Sequence, residues 1–223
     1  MLAFALCPTF RFLSLTFLIV LADIGMFIWE EVRGLDKTSD NLLQVNVLTL
    51  IDLGGNYQPF LLLHHEQIYR LISAIFLHVH FLHIFGNLIT TFMFLSRIEH
   101  TYGPAKTLII YLLSGIGGNI FSALVGPSGV KAGASTALYG IIGVIIGYIV
   151  INWNGLDLVG QQMKCQIFCT GFMVIIFIFI FTPTSASSST GSSTSIDYFG
   201  HLGGFLSGVW LSSIHDTIVT TKR

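Results

Sequence analysis

The chain has 223 residues, of which 53% are hydrophobic and only 9% charged, with a formal net charge of −1 and a mean hydropathy of +0.79. So little polar surface excludes a water-soluble globule and makes lipid the solvent, so a multi-pass integral membrane protein with the bilayer as its partner is expected. The near-neutral charge offers no basic field for nucleic acid, and three cysteines are too few and too scattered for a disulfide framework.

The first apolar run, from about 12 to 29, is long enough to span and is interrupted by Asp23. No small-residue cleavage site follows it, which reads as a retained helix rather than a removed signal. An ionisable side chain at membrane depth is a functional suspect, but Asp23 stands toward the end of the run. A structural role, with access to water or a neighbouring helix, is the better reading. Residues 30–70 carry acidic groups, Gly54, Gly55 and Pro59, too polar at first to span and too apolar later to float free. They read as a first external loop lying on the membrane surface.

Further spans are expected at about 74–95, 107–125, 136–151, 166–181 and 198–213, which makes six helices in an all-α bundle and a single membrane domain over residues 1–223. With the N-terminus inside, Arg11, Arg97, Lys106, Lys164, Lys222 and Arg223 are cytoplasmic, against Arg33, Lys37, Arg70 and Lys131 outside. That bias, modest as it is, puts both termini in the cytoplasm. Cys7, Cys165 and Cys169 then fall on the reducing side, where a disulfide is not expected. Residues 182–195, rich in Ser and Thr, read as an external loop between the fifth and sixth helices.

Polar groups inside apolar runs need a reason, because an unpartnered one costs several kcal/mol in hydrocarbon. His78, His80, His83 and Asn87 fall in or at the outer end of the second helix, and His83 and Asn87 lie one turn apart on one face. Ser135 and Tyr139 share a face of the fourth helix by the same spacing. Behind Ser135 run Thr136, Gly140, Gly143 and Gly147; the sixth helix answers with Gly200, Gly204 and Gly208 around His201. Small-residue stripes let backbones approach closely, which sets Ser135 and His201 at one depth. A serine hydroxyl becomes a nucleophile when a base takes its proton, and neutral imidazole is suited to that task near pH 7. His83 and Asn87 are donors at the depth where an oxyanion would form.

In this ordered set the chain resembles the rhomboid intramembrane serine proteases. The likeness covers roughly 66–208, and 66–216 is the expected core. Tyr69-Arg70 resembles the family's tryptophan-arginine segment, with tyrosine in place of tryptophan. His78, His83 and Asn87 resemble its second-helix pattern, followed by Glu99 and Gly103. Gly133-Ala134-Ser135 is similar to its Gly-x-Ser motif, with Thr136 where glycine is usual. His201-Leu202-Gly203-Gly204 with Gly208 is similar to its sixth-helix signature.

The resemblance implies a dyad of Ser135 and His201 and an oxyanion site from His83, Asn87 and the Ser135 backbone N–H. It also implies an imidazole oriented by Tyr139, and helix packing through Gly133, Gly140, Gly204 and Gly208. It implies a serine endopeptidase that needs no cofactor and cuts single-pass transmembrane proteins. Because a bond inside an intact helix is shielded, substrates with helix-weakening small residues near the cut are expected. Asp197, four residues before His201, would share its face, but as the first residue of the sixth helix it reads better as an N-cap than as a triad member. Two rival classes stand beside this reading. His78, His80 and His83 have spacings found in metal sites, although no Glu is interposed as in zinc-protease helices. A catalytically inactive relative that binds transmembrane helices for trafficking would keep the fold and lose the chemistry.

Overall fold

The structure is a computed structural model and describes residues 12–151 and 196–220. The fifth expected span at 166–181, the 182–195 tract, Lys164, Cys165, Cys169, Cys7, Arg11 and the last two basic residues lie outside the described residues. Helix α1 is Leu15–Arg33, opened by Ser14, whose hydroxyl accepts from the Phe17 N–H at 3.2 Å. The following segment holds short α2 (Val47–Asp52), strand β1 (Asn56–Tyr57), α3 (Gln58–Leu63), a 3₁₀ stretch at His65–Tyr69 and α4 (Arg70–Ser73). A second 3₁₀ turn, Ala74–Phe76, leads into α5 (Phe81–Thr90). A π-helical stretch, Thr91–Leu95, joins α5 to α6 (Ser96–Tyr102). Then come α7 (Pro104–Val125), strand β2 (Val130–Lys131), α8 (Ser135–Ile151) and α9 (Tyr198–Thr220).

Among the described residues two helical stretches are long and apolar enough to cross a bilayer, Phe81–Tyr102 and Pro104–Val125, each of 22 residues; α8 is equally apolar but shorter, with 17. Helix α8 is the axis of the bundle. Apolar or small on every side, it buries Leu138, Ile141, Val144 and Ile145 against α7, the π stretch and α9, as a helix with no polar face must. It meets α9 at backbone distance. A Cβ on Gly208 would stand 2.9 Å from the Gly140 Cα, and one on Gly143 would strike the Phe205 carbonyl. Gly118 of α7 enters the same junction, where a Cβ would lie 2.6 Å from the Gly200 carbonyl oxygen.

The loop before α4 is anchored from within. Arg70, 4% exposed, donates through one terminal nitrogen to the Ile51 and Gly55 carbonyls at 2.6 and 3.1 Å and lies 4.9 Å over the Phe60 ring. Strand β1 pairs antiparallel with β2, Asn56 opposite Lys131, and Asn56 also donates to the Asn119 carbonyl at 3.0 Å. The loop is thereby tied to the segment that leads into Ser135.

Three expectations are corrected. Asp23 is not near a helix end: it sits midway along α1 with no exposed surface, so it does not reach water. Thr16, Asp23 and Glu30 recur every seven residues and form a buried polar stripe, so Glu30 belongs to the helix interior and not to the external loop. The second long helix begins at Phe81 and not near 74. His80 is extended (φ −161°) and its Nδ1 accepts from the His83 N–H at 3.2 Å, an N-cap that leaves His78 and His80 in front of the helix.

Candidate active site

Ser135 opens α8. Gly133, two residues earlier, has φ +140°, a conformation that suits glycine, and its N–H donates to the Ala74 carbonyl at 2.9 Å. Space makes the same demand, since a Cβ there would lie 2.7 Å from His83 Cε1 and 2.8 Å from His83 Nε2. The Ser135 hydroxyl therefore emerges at a helix N-terminus, where backbone N–H groups have no intrahelical acceptor and the dipole favours negative charge.

One turn into α9, His201 reaches across the glycine contact, and its Nε2 lies 2.8 Å from Ser135 Oγ. The Tyr139 ring lies flat on the imidazole, with centroids 4.3 Å apart and planes 13° from parallel. Gly204 of α9 faces the Thr136 backbone, where a Cβ would sit 3.0 Å from the carbonyl carbon. Thr136 itself fits, 4% exposed, because Gly118 and Gly200 leave room for its methyl group.

His83 faces this pair from α5. Its Nδ1 accepts from the Val79 N–H at 3.4 Å, which places the ring proton on Nε2, the nitrogen turned toward Gly133. Asn87 follows one turn later, 7% exposed, with an amide nitrogen that has no partner among the described residues. Asp197 is bound at the start of α9. Its Oδ1 accepts from the Gly200 N–H at 2.9 Å, an N-cap bond, and from Ser122 Oγ at 2.7 Å. Beside it Lys131 donates to the Ser122 carbonyl at 3.2 Å; burial pushes its ammonium pKa down, and the Asp197 charge pulls it back up.

The three histidines cluster without converging on one point. The His78 and His80 rings stand 5.4 and 5.9 Å from the His83 ring, and among the described residues no three His, Cys, Asp or Glu side chains converge on a point a metal ion could occupy. Sequence reasoning missed Glu30, whose two carboxylate oxygens accept from the His78 N–H at 3.0 and 3.2 Å. The seven-residue recurrence of polar groups along α1 was the available signal.

Fold and site together define an apolar helical bundle with a hydroxyl–imidazole pair at the head of its central helix. Residues 65–215 match the rhomboid domain. The chain belongs to the rhomboid family, integral membrane proteins that are generally intramembrane serine proteases. It is 36% identical over 166 residues to rhomboid-like protease 3 of Toxoplasma gondii, covering 74% of this chain and 58% of that protein. It is 30% identical over 216 residues to rhomboid-like protease 2 of the same organism, covering 95% and 70%. With RHOMBOID-like protein 1 of Arabidopsis thaliana it shares 29% over 191 residues, 86% of this chain and 44% of that protein. The matched part thus spans between 44% and 70% of the length of these relatives.

Proposed function

We propose that the chain is an intramembrane serine endopeptidase with Ser135 as nucleophile and His201 as general base. The observation that carries this reading is the 2.8 Å contact between Ser135 Oγ and His201 Nε2. In the resting enzyme the His201 proton sits on Nδ1 and the Nε2 lone pair accepts from the serine. As Oγ attacks the scissile carbonyl, Nε2 takes the hydroxyl proton and later passes it to the leaving amine; water then repeats the sequence on the acyl-enzyme. Tyr139 holds the plane of the imidazole through its face, where a soluble protease uses a carboxylate.

The oxyanion forms between His83 Nε2–H, the Asn87 amide and the Ser135 backbone N–H. Each such donor is worth ~2.7–4 kcal/mol of transition-state stabilisation in comparable sites. The substrate is a single-pass transmembrane protein whose helix yields near the outer surface, presented to a six-span bundle with both termini in the cytoplasm. No cofactor takes part.

Reconstituted protein tests this against a transmembrane substrate and a fluorophosphonate probe. Wild type cleaves and is labelled at Ser135, whereas Ser135→Ala does neither and His201→Ala is labelled at a small fraction of the rate. An unlabelled wild type that still binds transmembrane helices would instead assign the fold to recognition without hydrolysis.

A further inference from the structure

A buried carboxylate demands an explanation, and Glu30 is one with no exposed surface, 48 residues from its partner in sequence. Its two oxygens share a single backbone donor, the His78 N–H. His78 opens the extended turn before α5. The very next N–H, that of Val79, is the one that donates to His83 Nδ1. The His78 ring, itself fully buried, also stands edge-on to the His83 ring, 5.4 Å away. Orientation of the Val79 N–H and seating of the His78 ring both depend on how this turn is held. Elsewhere the turn is tied to loop backbone, where the Val45 N–H donates to the Val79 carbonyl at 2.9 Å and the Phe81 N–H to the Leu42 carbonyl at 3.1 Å, and to the start of α5 through His80.

The tautomer of His83 matters because the two nitrogens face different things. With Nδ1 accepting from Val79, the proton must reside on Nε2, and Nε2 is the atom turned toward Gly133, where a Cβ would lie 2.8 Å from it and 3.5 Å from Ser135 Oγ. If the turn slackens, Nδ1 can hold the proton instead, and Nε2 then presents a lone pair to the place where negative charge develops. A donor becomes an acceptor without any change in the ring's position.

We propose that Glu30 is a positioning residue for the Ser135–His201 site: from α1 it holds the His78 amide, sets the turn through which Val79 caps His83 Nδ1, and so keeps the His83 proton on Nε2. The inference rests on the site proposed above. It assigns to the first helix, which contributes no side chain to the reacting atoms, control over the donor character of one that does.

The test uses full-length protein in liposomes, with kcat and KM on a transmembrane substrate and the rate of fluorophosphonate labelling at Ser135. Glu30→Ala lowers kcat about tenfold at unchanged KM, less than the ~100-fold that loss of an oxyanion donor costs. Glu30→Gln, which keeps an acceptor for the His78 N–H, restores most of that rate. In a His83→Ala background, Glu30→Ala has no further effect, because its action runs through His83. Where Glu30→Ala does not fold, Glu30→Asp retracts the carboxylate by one methylene and gives the same kinetic signature. Nitrogen-15 spectra of histidine-labelled wild type show the His83 proton on Nε2.

A wild-type His83 protonated on Nδ1 overturns the inference, as does an undiminished kcat in Glu30→Ala or an additive loss in the double variant. If Ser135→Ala still cleaves, or His83→Ala is silent, the site itself is misassigned; that failure shows without any Glu30 variant and takes this inference with it.

Discussion

Replacing Gly204 by alanine tests the structural basis of the site without touching a reacting group. The new Cβ would lie 3.0 Å from the Thr136 carbonyl carbon and 3.4 Å from its Cα, with the carbonyl oxygen closer still. Carbon atoms pack at ~3.5–4.0 Å, so α8 and α9 must part by about 0.5–1 Å at this level. Neither neighbour is a flexible side-chain end that can swing away. Thr136 follows Ser135 directly and Gly204 lies one turn from His201, so most of the displacement passes to the 2.8 Å contact and carries it to or beyond hydrogen-bond reach. Overpacking of this kind destabilises by ~1–3 kcal/mol, and a misplacement of ~1 Å at reacting groups costs about 100-fold in rate. The control is Gly25→Ala on α1, where a Cβ meets nothing within 4 Å and the helix gains ~0.5–1 kcal/mol of propensity. Thermal unfolding in detergent with the rate of Ser135 labelling reads both. A Gly204→Ala protein labelled within twofold of wild type at unchanged Tm would refute the proposed coupling of helix contact to dyad geometry.

Three further outcomes follow from the site. Tyr139→Phe keeps the stacked ring and stays near wild-type kcat, whereas Tyr139→Ala forfeits a contact worth ~0.5–1.5 kcal/mol and slows cleavage about two- to tenfold. Asp197→Ala loses the Gly200 cap and the Ser122 bond, lowering stability by ~0.5–2 kcal/mol while rate per folded molecule holds; a loss of several thousandfold in a stable protein would make Asp197 a third catalytic member. Exhaustive chelation leaves cleavage unchanged, because His78, His80 and His83 do not converge; chelation that abolishes it, reversed by added metal, would reopen that assignment.

The parts of the site legible in the sequence are those written in local spacing. Ser135 and Tyr139 at four residues, the glycines of α8 and α9, and Asp197 three residues before Gly200 are helix periodicities and cap patterns, which need no knowledge of the partner. Burial of Glu30 left one mark in the sequence, its seven-residue spacing from Asp23 and Thr16. Whether Glu30 lies in a loop or inside the bundle depends on a backbone amide 48 residues away, and apolar runs say nothing of it. The start of α5 was misplaced for a related reason: residues 74–80 are apolar enough to continue a helix, and only the extended backbone at His80, with its ring capping the His83 N–H, decides otherwise. The π stretch at Thr91–Leu95 leaves no mark in composition, because it is a change of hydrogen-bond phase.

Helix α1 is fastened near one end to α6 and near the other to the turn that precedes α5. At its start Glu99 of α6 accepts from the Leu15 and Thr16 N–H groups at 2.7 and 2.9 Å and from the Thr16 hydroxyl at 2.7 Å. At its far end Glu30 grips the turn that begins α5. Two acidic latches, one donated in each direction, thus hold α1 against the stretch from that turn to α6. Sliding of α1 along that stretch would break one set of bonds or both.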